Sequence, residues 1–195
     1  MTVTVYILTL NAEKTITSLL NYYNYDHYNV VVIDSSSSDR TVKICEKYDC
    51  SIVSIDRSDF NHGATREYAR KLTDSEIVVF FTQDVMPASD ETIEKLILPI
   101  INGEAHVSYA RQLHNKNADI FESFSREYNY GTKEHIRSIA DINKYGIYTF
   151  FCSNSCAAWS NKVLDEIGGF KSTLTNEDYF ACAGLLLNGY KVAYV

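Results

Sequence analysis

Several things are scarce in this chain of 195 residues. It has only two prolines and eight glycines, too few for a linker-rich or low-complexity protein. No stretch of about 18 consecutive apolar residues occurs, so no transmembrane helix is expected. Positive charge is in deficit: 18 Lys and Arg stand against 25 Asp and Glu, a formal net charge of −7. That argues against nucleic acid as a partner, because binding a phosphate backbone leans on clustered cations. It leaves room for a single diphosphate, held by backbone N–H groups, a helix end or a metal. The five cysteines (Cys45, Cys50, Cys152, Cys156 and Cys182) are odd in number and contain no C-x-x-C pair. Reduced thiols in a cytoplasmic protein are the expectation, and the spacing is too open for a zinc site. The opening MTVTVYILTLN has no basic stretch before its apolar run and reads as a strand, not a signal peptide.

What the chain does have is alternation. Apolar residues make up 46% of it, enough for one sizeable core. VTVYILTL is β-rich, and Asn11 opens a stretch with Ile16, Leu19 and Leu20 at helical spacing. NVVVID is a short apolar run of the kind buried on both faces of a sheet. A helix is expected over 39–48, then the strand SIVSI, a helix over 62–72 and the strand EIVVFF. SDETIEKLILPII predicts an amphipathic helix that Ser89 or Asp90 can cap, and AHVSYARQL a further strand. Residues 114–148 are polar and aromatic and predict an insertion of helix and loop. CSNSCAAWS then reads as a strand, NKVLDEIGGF as a short helix stopped at Gly168–Gly169, NEDYFACAGLLLNGY as a longer helix that Asn176 can cap, and YKVAYV as a last strand. The sequence stops inside that strand, which reads as a C-terminally truncated chain.

Repeated β-α-β units imply an α/β fold: a Rossmann-like, mostly parallel sheet with helices on both faces, a three-layer sandwich. In such sheets ligands bind at the carboxyl edge of the strands. Three polar segments fall there: TLN at 9–11, DSSSSD at 34–39 and TQD at 82–84. The serine run is no linker, since a strand abuts it on one side and a helix on the other, and such connections span about 2–6 residues. Small residues let backbone approach a ligand closely. Asp34 can accept hydrogen bonds from a ring N–H or a ribose, or it can cap the turn. Asp39 suits a helix N-terminus. Arg66, one turn into its helix, can bind phosphate or stack on a base; the alternative is a surface arginine paired with Glu67 or Asp74. His62 reads by default as a neutral histidine satisfied by backbone. Asp84 is a carboxylate after a buried strand or a turn-former before Pro87. Glu177 and Asp178 open a helix, where acids usually complement the dipole. Trp159 and Phe170 pack below this site or belong to plain core.

TLNAEKTI, VVIDSSSSDRT, FNHGATRE, FFTQDVMPA and NEDYF occur in that order. Together they resemble family 2 glycosyltransferases of the GT-A fold, and among these the rhamnosyltransferases, over nearly the whole chain. The resemblance implies one catalytic domain over 1–195, with a nucleotide-binding half over about 1–112 and an acceptor-side half over about 113–195. It implies a nucleotide-diphosphate sugar donor, dTDP-rhamnose or a UDP-sugar, held by Leu10, Asn11, Asp34, Ser36, Arg66, Gln83 and Asp84. Asp84 stands where the family's D-x-D motif binds Mg²⁺ or Mn²⁺, although Thr82 and Gln83 fill the other two positions. Asp178, the aspartate of the E-D motif, becomes the base that deprotonates an acceptor hydroxyl. The acceptor implied is a glycan or lipid-linked glycan of cell-surface polysaccharide synthesis, and the location cytoplasmic, with peripheral contact to the inner face of the membrane through residues beyond Val195. Ser36 and Arg40 replace glycines that many members carry, and Ala64 replaces the second glycine of F-N-H-G-G-T-R. Two rival readings keep the sheet: a non-catalytic nucleotide-sugar-binding protein, and a sugar nucleotidyltransferase, against which the glycine-poor TLNAEKT counts.

Overall fold

The apolar, β-branched runs form one eight-stranded sheet. A computed structural model describes residues 1–22, 27–114 and 118–195. In chain order its elements are β1 (Val3–Thr9), α1 (Ile16–Tyr22), β2 (Asn29–Asp34), α2 (Thr41–Cys45), β3 (Ser51–Ser54), α3 (His62–Arg70), β4 (Ile77–Thr82), α4 (Thr92–Ile101), β5 (Val107–Tyr109), α5 (Ile120–Asn129), β6 (His135–Arg137), α6 (Ile142–Tyr145), β7 (Cys156–Ser160), α7 (Asn161–Glu166), α8 (Glu177–Leu187) and β8 (Val192–Tyr194). The strand order is β3-β2-β1-β4-β7-β5-β8-β6. Strands β1 to β4 run parallel, and β5 runs parallel to β8. β7 lies antiparallel between β4 and β5, and β6 antiparallel to β8. The sheet is therefore mostly parallel.

Both faces are covered, which is why the central strands alternate so little in polarity. Tyr6, Val31, Val78 and Phe80 face Ala69 of α3, Leu164 of α7 and Leu185 of α8. Val5, Val32, Val79 and Phe81 face Ile16 and Leu19 of α1, Cys45 of α2, and Ile93 and Leu96 of α4. Those two cores make the three layers. All five cysteines are free. No helix among the described residues is long and apolar enough to cross a membrane.

Several local expectations change. β7 reverses direction and displaces β5 from β4, a long-range pairing that alternation along the chain does not encode. Within 114–148 a strand, β6, joins the sheet edge beside α5 and α6; residues 115–117 of that segment lie outside the described residues. Neither Ser89 nor Asp90 caps α4, which starts a turn later with the Thr92 amide and hydroxyl on the Ser89 carbonyl. Asn176 precedes α8 in a left-handed conformation (φ 61°) and makes no side-chain cap.

The start of α3 positions the loop before α8. Asn61 caps α3, accepting from the Gly63 and Ala64 amides, and its Nδ2 donates to the Thr173 carbonyl at 2.8 Å. Gly63 lets the two segments touch: a Cβ there would lie 1.8 Å from the Lys171 carbonyl oxygen. At the other end of the loop Gly169 has φ 69°, and its missing Cβ leaves space for the Glu67 carboxylate. That carboxylate accepts from the Phe170 amide and from Arg70. Gly63→Ala should lower unfolding free energy by about 2 kcal/mol or more, whereas Gly131→Ala, with open space around it, should be nearly neutral. Urea denaturation of both variants checks this; equal midpoints would show that the close approach is not needed.

Candidate active site

The polar tips of β1, β2 and β4 are hydrogen-bonded to one another. Asp34 ends β2 and is 2% exposed. Its carboxylate accepts from the Ser37 amide at 2.8 Å, the Ser37 hydroxyl at 2.5 Å and the Thr9 hydroxyl at 3.2 Å. The turn-capping role open to Asp34 is thus filled. The serine loop then locks to the loop after β1. The Asn11 amide donates to Ser37 Oγ at 2.8 Å, and Asn11 Oδ1 accepts from the Ser38 amide at 2.8 Å. Asp39 accepts from the Glu13 and Thr41 amides and from the Thr41 hydroxyl, so it joins the first residue of α2 to the segment before α1. Asn11 (φ 51°) and Ser36 (φ 60°) are both left-handed. Asparagine tolerates this; serine is strained there, and the Ser36 hydroxyl compensates by donating to the Ile55 carbonyl at 2.8 Å. Glycine would adopt this backbone without that strain.

A second set of bonds extends the rim to α8. The Leu10 amide donates to Gln83 Oε1 at 2.7 Å. The Thr82 amide donates to the Ser155 carbonyl at 3.1 Å. The Asn154 amide donates to Asp178 Oδ2 at 3.0 Å. These bonds link the ends of β1, β2 and β4 to Asp178 at the carboxyl edge of the parallel strands, and Asp84 follows Gln83 at that edge.

Asp84 and Asp178 sit in unlike surroundings. Asp84 is exposed and lines a cleft of ≈ 460 Å³ shared with Arg111, Arg126, Glu122 and Ser155. A second cavity, ≈ 560 Å³, lies beside the serine loop against Ser36, Ile55, Thr65 and Tyr68. Asp178 is half-buried. Burial pushes its carboxyl above the ordinary range and neighbouring Glu177 adds to this, while the Asn154 and Tyr179 amides and Arg66 pull it back. A helix start alone would hold it low; burial reverses that direction.

Arg66 is not a surface residue paired with Glu67 or Asp74. It is 2% exposed, its NH1 lies 2.9 Å from Glu177 Oε1, and its guanidinium sits 5.8 Å from the Phe80 ring centroid. The Glu67 carboxylate serves Arg70 and Lys71 instead. His62 Nδ1 lies 3.4 Å from Arg66 NH1, which also donates to the His62 carbonyl. Trp159 and Phe170 pack edge to face, centroids 5.1 Å apart.

No group of three or more His, Cys, Asp or Glu side chains among the described residues is arranged to hold a metal ion. Asp84 by itself fits the way Mg²⁺ is usually bound, through one or two carboxylates with substrate phosphates supplying the remaining oxygens.

The sequence pattern described as Glycosyl transferase family 2 matches residues 4–168. The chain belongs to that family. An O-antigen chain rhamnosyltransferase, RfbN of Salmonella typhimurium, is 40% identical over 168 residues, covering 85% of this chain and 54% of that protein. This family 2 chain spans about half the length of the curated relatives it matches. TarS of Staphylococcus aureus in complex with UDP-GlcNAc superimposes with a TM-score of 0.76 at 21% identity, over all of this chain and 56% of that one. Mannosyltransferase PcManGT of Pyrobaculum calidifontis, in complex with GDP-Man and Mn²⁺, gives 0.68 at 17% identity, over 99% and 56%. The architecture is the GT-A fold.

The sequence pattern does not single out Asn154, which falls in CSNSCAAWS, a stretch expected to be strand. β7 begins only at Cys156, and the residues before it form the loop that meets Asp178. Asn154 is buried, its Oδ1 accepts from Trp159 Nε1 at 2.8 Å and its Nδ2 donates to Glu177 at 3.2 Å. A lone Trp five residues after an Asn was the available signal. Asn154→Ala should cost about 1–3 kcal/mol by leaving the buried indole N–H unpaired, read from thermal or urea unfolding. An unchanged midpoint would mean that this bond carries no weight.

Proposed function

We propose that this chain binds a nucleotide-diphosphate sugar and transfers the sugar, with inversion, to a hydroxyl of a glycan or lipid-linked glycan in cell-surface polysaccharide synthesis. The observation that carries the proposal is the segment 153–155. One side of it is bonded to the loop that bears Asp84, and the other to the carboxylate of Asp178. A carboxylate suited to the phosphates and a carboxylate suited to a proton are therefore joined through one short segment. Residues 1–112 form the donor half and 113–195 the acceptor half.

The nucleotide end lies at the interlocked loops of Leu10, Asn11, Asp34 and Ser36, beside the cavity bounded by Tyr68. Gln83 and Asp84 lie at the diphosphate. A divalent cation, Mg²⁺ or Mn²⁺, neutralises charge on the leaving diphosphate when bound, and Asp84 is the residue that would hold it. PcManGT carries Mn²⁺ with its GDP-Man, which supports the same arrangement here. The acceptor hydroxyl attacks the anomeric carbon from the face opposite the nucleotide diphosphate. The new C–O bond forms as the bond to the diphosphate breaks, and the hydroxyl proton passes to Asp178. A raised midpoint brings this base closer to neutral pH, which strengthens it as a proton acceptor. Rhamnose is the proposed sugar, on the FNHGATR stretch and on the likeness to RfbN.

Asp178→Asn should reduce transfer by about 10²–10⁴-fold and leave dTDP and UDP affinity near the parent value. Asp84→Asn should weaken nucleotide binding only when Mn²⁺ is present. The acid limb of the parent's rate profile should fall above the ordinary aspartate value of about 3.9. Turnover from dTDP-rhamnose, UDP-GlcNAc and GDP-mannose, with calorimetry on dTDP, UDP and GDP, checks all three. Full turnover in Asp178→Asn removes the base, and binding without any turnover in the parent favours a non-catalytic nucleotide-sugar-binding protein.

A further inference from the structure

Beneath Asp178 lies a buried group of side chains that the transfer as described does not use. Glu177 is 5% exposed and Arg66 2%, and they form an ion pair at 2.9 Å. Among the described residues Glu177 has no other cationic partner. Asn154 joins this pair to the base: its side chain holds Glu177 and the Trp159 indole, and its own amide holds Asp178. Two adjacent carboxylates in one low-dielectric pocket repel each other, and one of them takes a proton unless a cation neutralises it. The guanidinium, which stays charged even when desolvated, is that cation.

On the reading that Asp178 is the base, we propose that Arg66, Glu177 and Asn154 are its positioning residues: Arg66 neutralises Glu177, Glu177 and Trp159 fix Asn154, and the Asn154 amide aims the carboxylate that receives the acceptor's proton. Arg66 therefore acts on the base and not on the nucleotide. The guanidinium is sealed by Glu177, Phe80 and the first turn of α3, and its Nε has no hydrogen-bond partner. The other titratable groups facing Asp178 are Tyr130 after α5, Cys152 before β7, and Cys182 one turn along α8. Burial raises all three, Cys182 to about 12, so they stay neutral near pH 7. That leaves Arg66 and Glu177 as the charges that act on Asp178.

The test is a direct titration of the Asp178 carboxyl by carbon-detected NMR in the whole chain, its signal identified with Asp178→Asn. Arg66→Met should raise the Asp178 midpoint by about one pH unit. Glu177→Gln should lower it, and Arg66→Lys should return it toward the parent value. Affinity of Arg66→Met for dTDP and UDP should stay near that of the parent. An unmoved midpoint together with a tenfold loss of nucleotide affinity would overturn the proposal and give Arg66 to the nucleotide. If Arg66→Met does not fold, Glu177→Gln decides, because it keeps the hydrogen bond to Asn154; a midpoint that fails to fall there overturns the proposal. The two readings fail separately. Full turnover in Asp178→Asn removes the base itself, whereas an inactive Asp178→Asn with unmoved midpoints removes only the positioning role.

Discussion

One backbone hydrogen bond, from the Asn154 amide to the Asp178 carboxylate, ties helix α8 to the rim of the sheet. Packing, the Arg66–Glu177 pair and the Asn154 side chain hold α8 as a whole; this bond joins the Asp178 carboxylate itself to the segment that meets β4. The antiparallel β7 makes the bond possible. By pairing with β4 it delivers residues 153–155 beside the Thr82 amide at the same edge where β1 and β2 end. The loop before α8 is held from behind by Asn61, Gly63 and Glu67 of the α3 region. These contacts set where Glu177 and Asp178 stand.

At a net charge of −7 the protein cannot rely on a broad positive surface. Instead its carboxylates near the rim are spent locally. Asp34 and Asp39 accept from backbone and hydroxyl donors, and Glu177 is matched by Arg66. Asp84 is exposed and lines its cleft together with Glu122 and Glu134.

Much of this was legible in the sequence, for identifiable reasons. NVVVID and EIVVFF read as buried strands because central parallel strands must be apolar on both faces, and the polar triplets after them had to fall at one edge. The left-handed Ser36 lies in the serine loop, a backbone that the run of small polar residues does not by itself announce. Less was legible where pairing is long-range. β6 has three residues, His135–Arg137, and its polarity is that of a sheet edge. The insertion of β7 depends on contacts across some seventy residues of chain. Arg66 was open to two readings, a phosphate or base ligand or a surface residue paired with Glu67 or Asp74, and its buried partner Glu177 lies more than a hundred positions away. Burial raised the Asp178 carboxyl against the trend of the helix start, a balance that only packing decides.

The most direct measurement is a crystal structure with dTDP and Mn²⁺. The base should rest against Asn11 and Asp34 and the diphosphate at Asp84, with Asp178 across the same cleft from it. A nucleotide seated elsewhere, or one whose diphosphate points away from the segment 153–155, would contradict the shared rim.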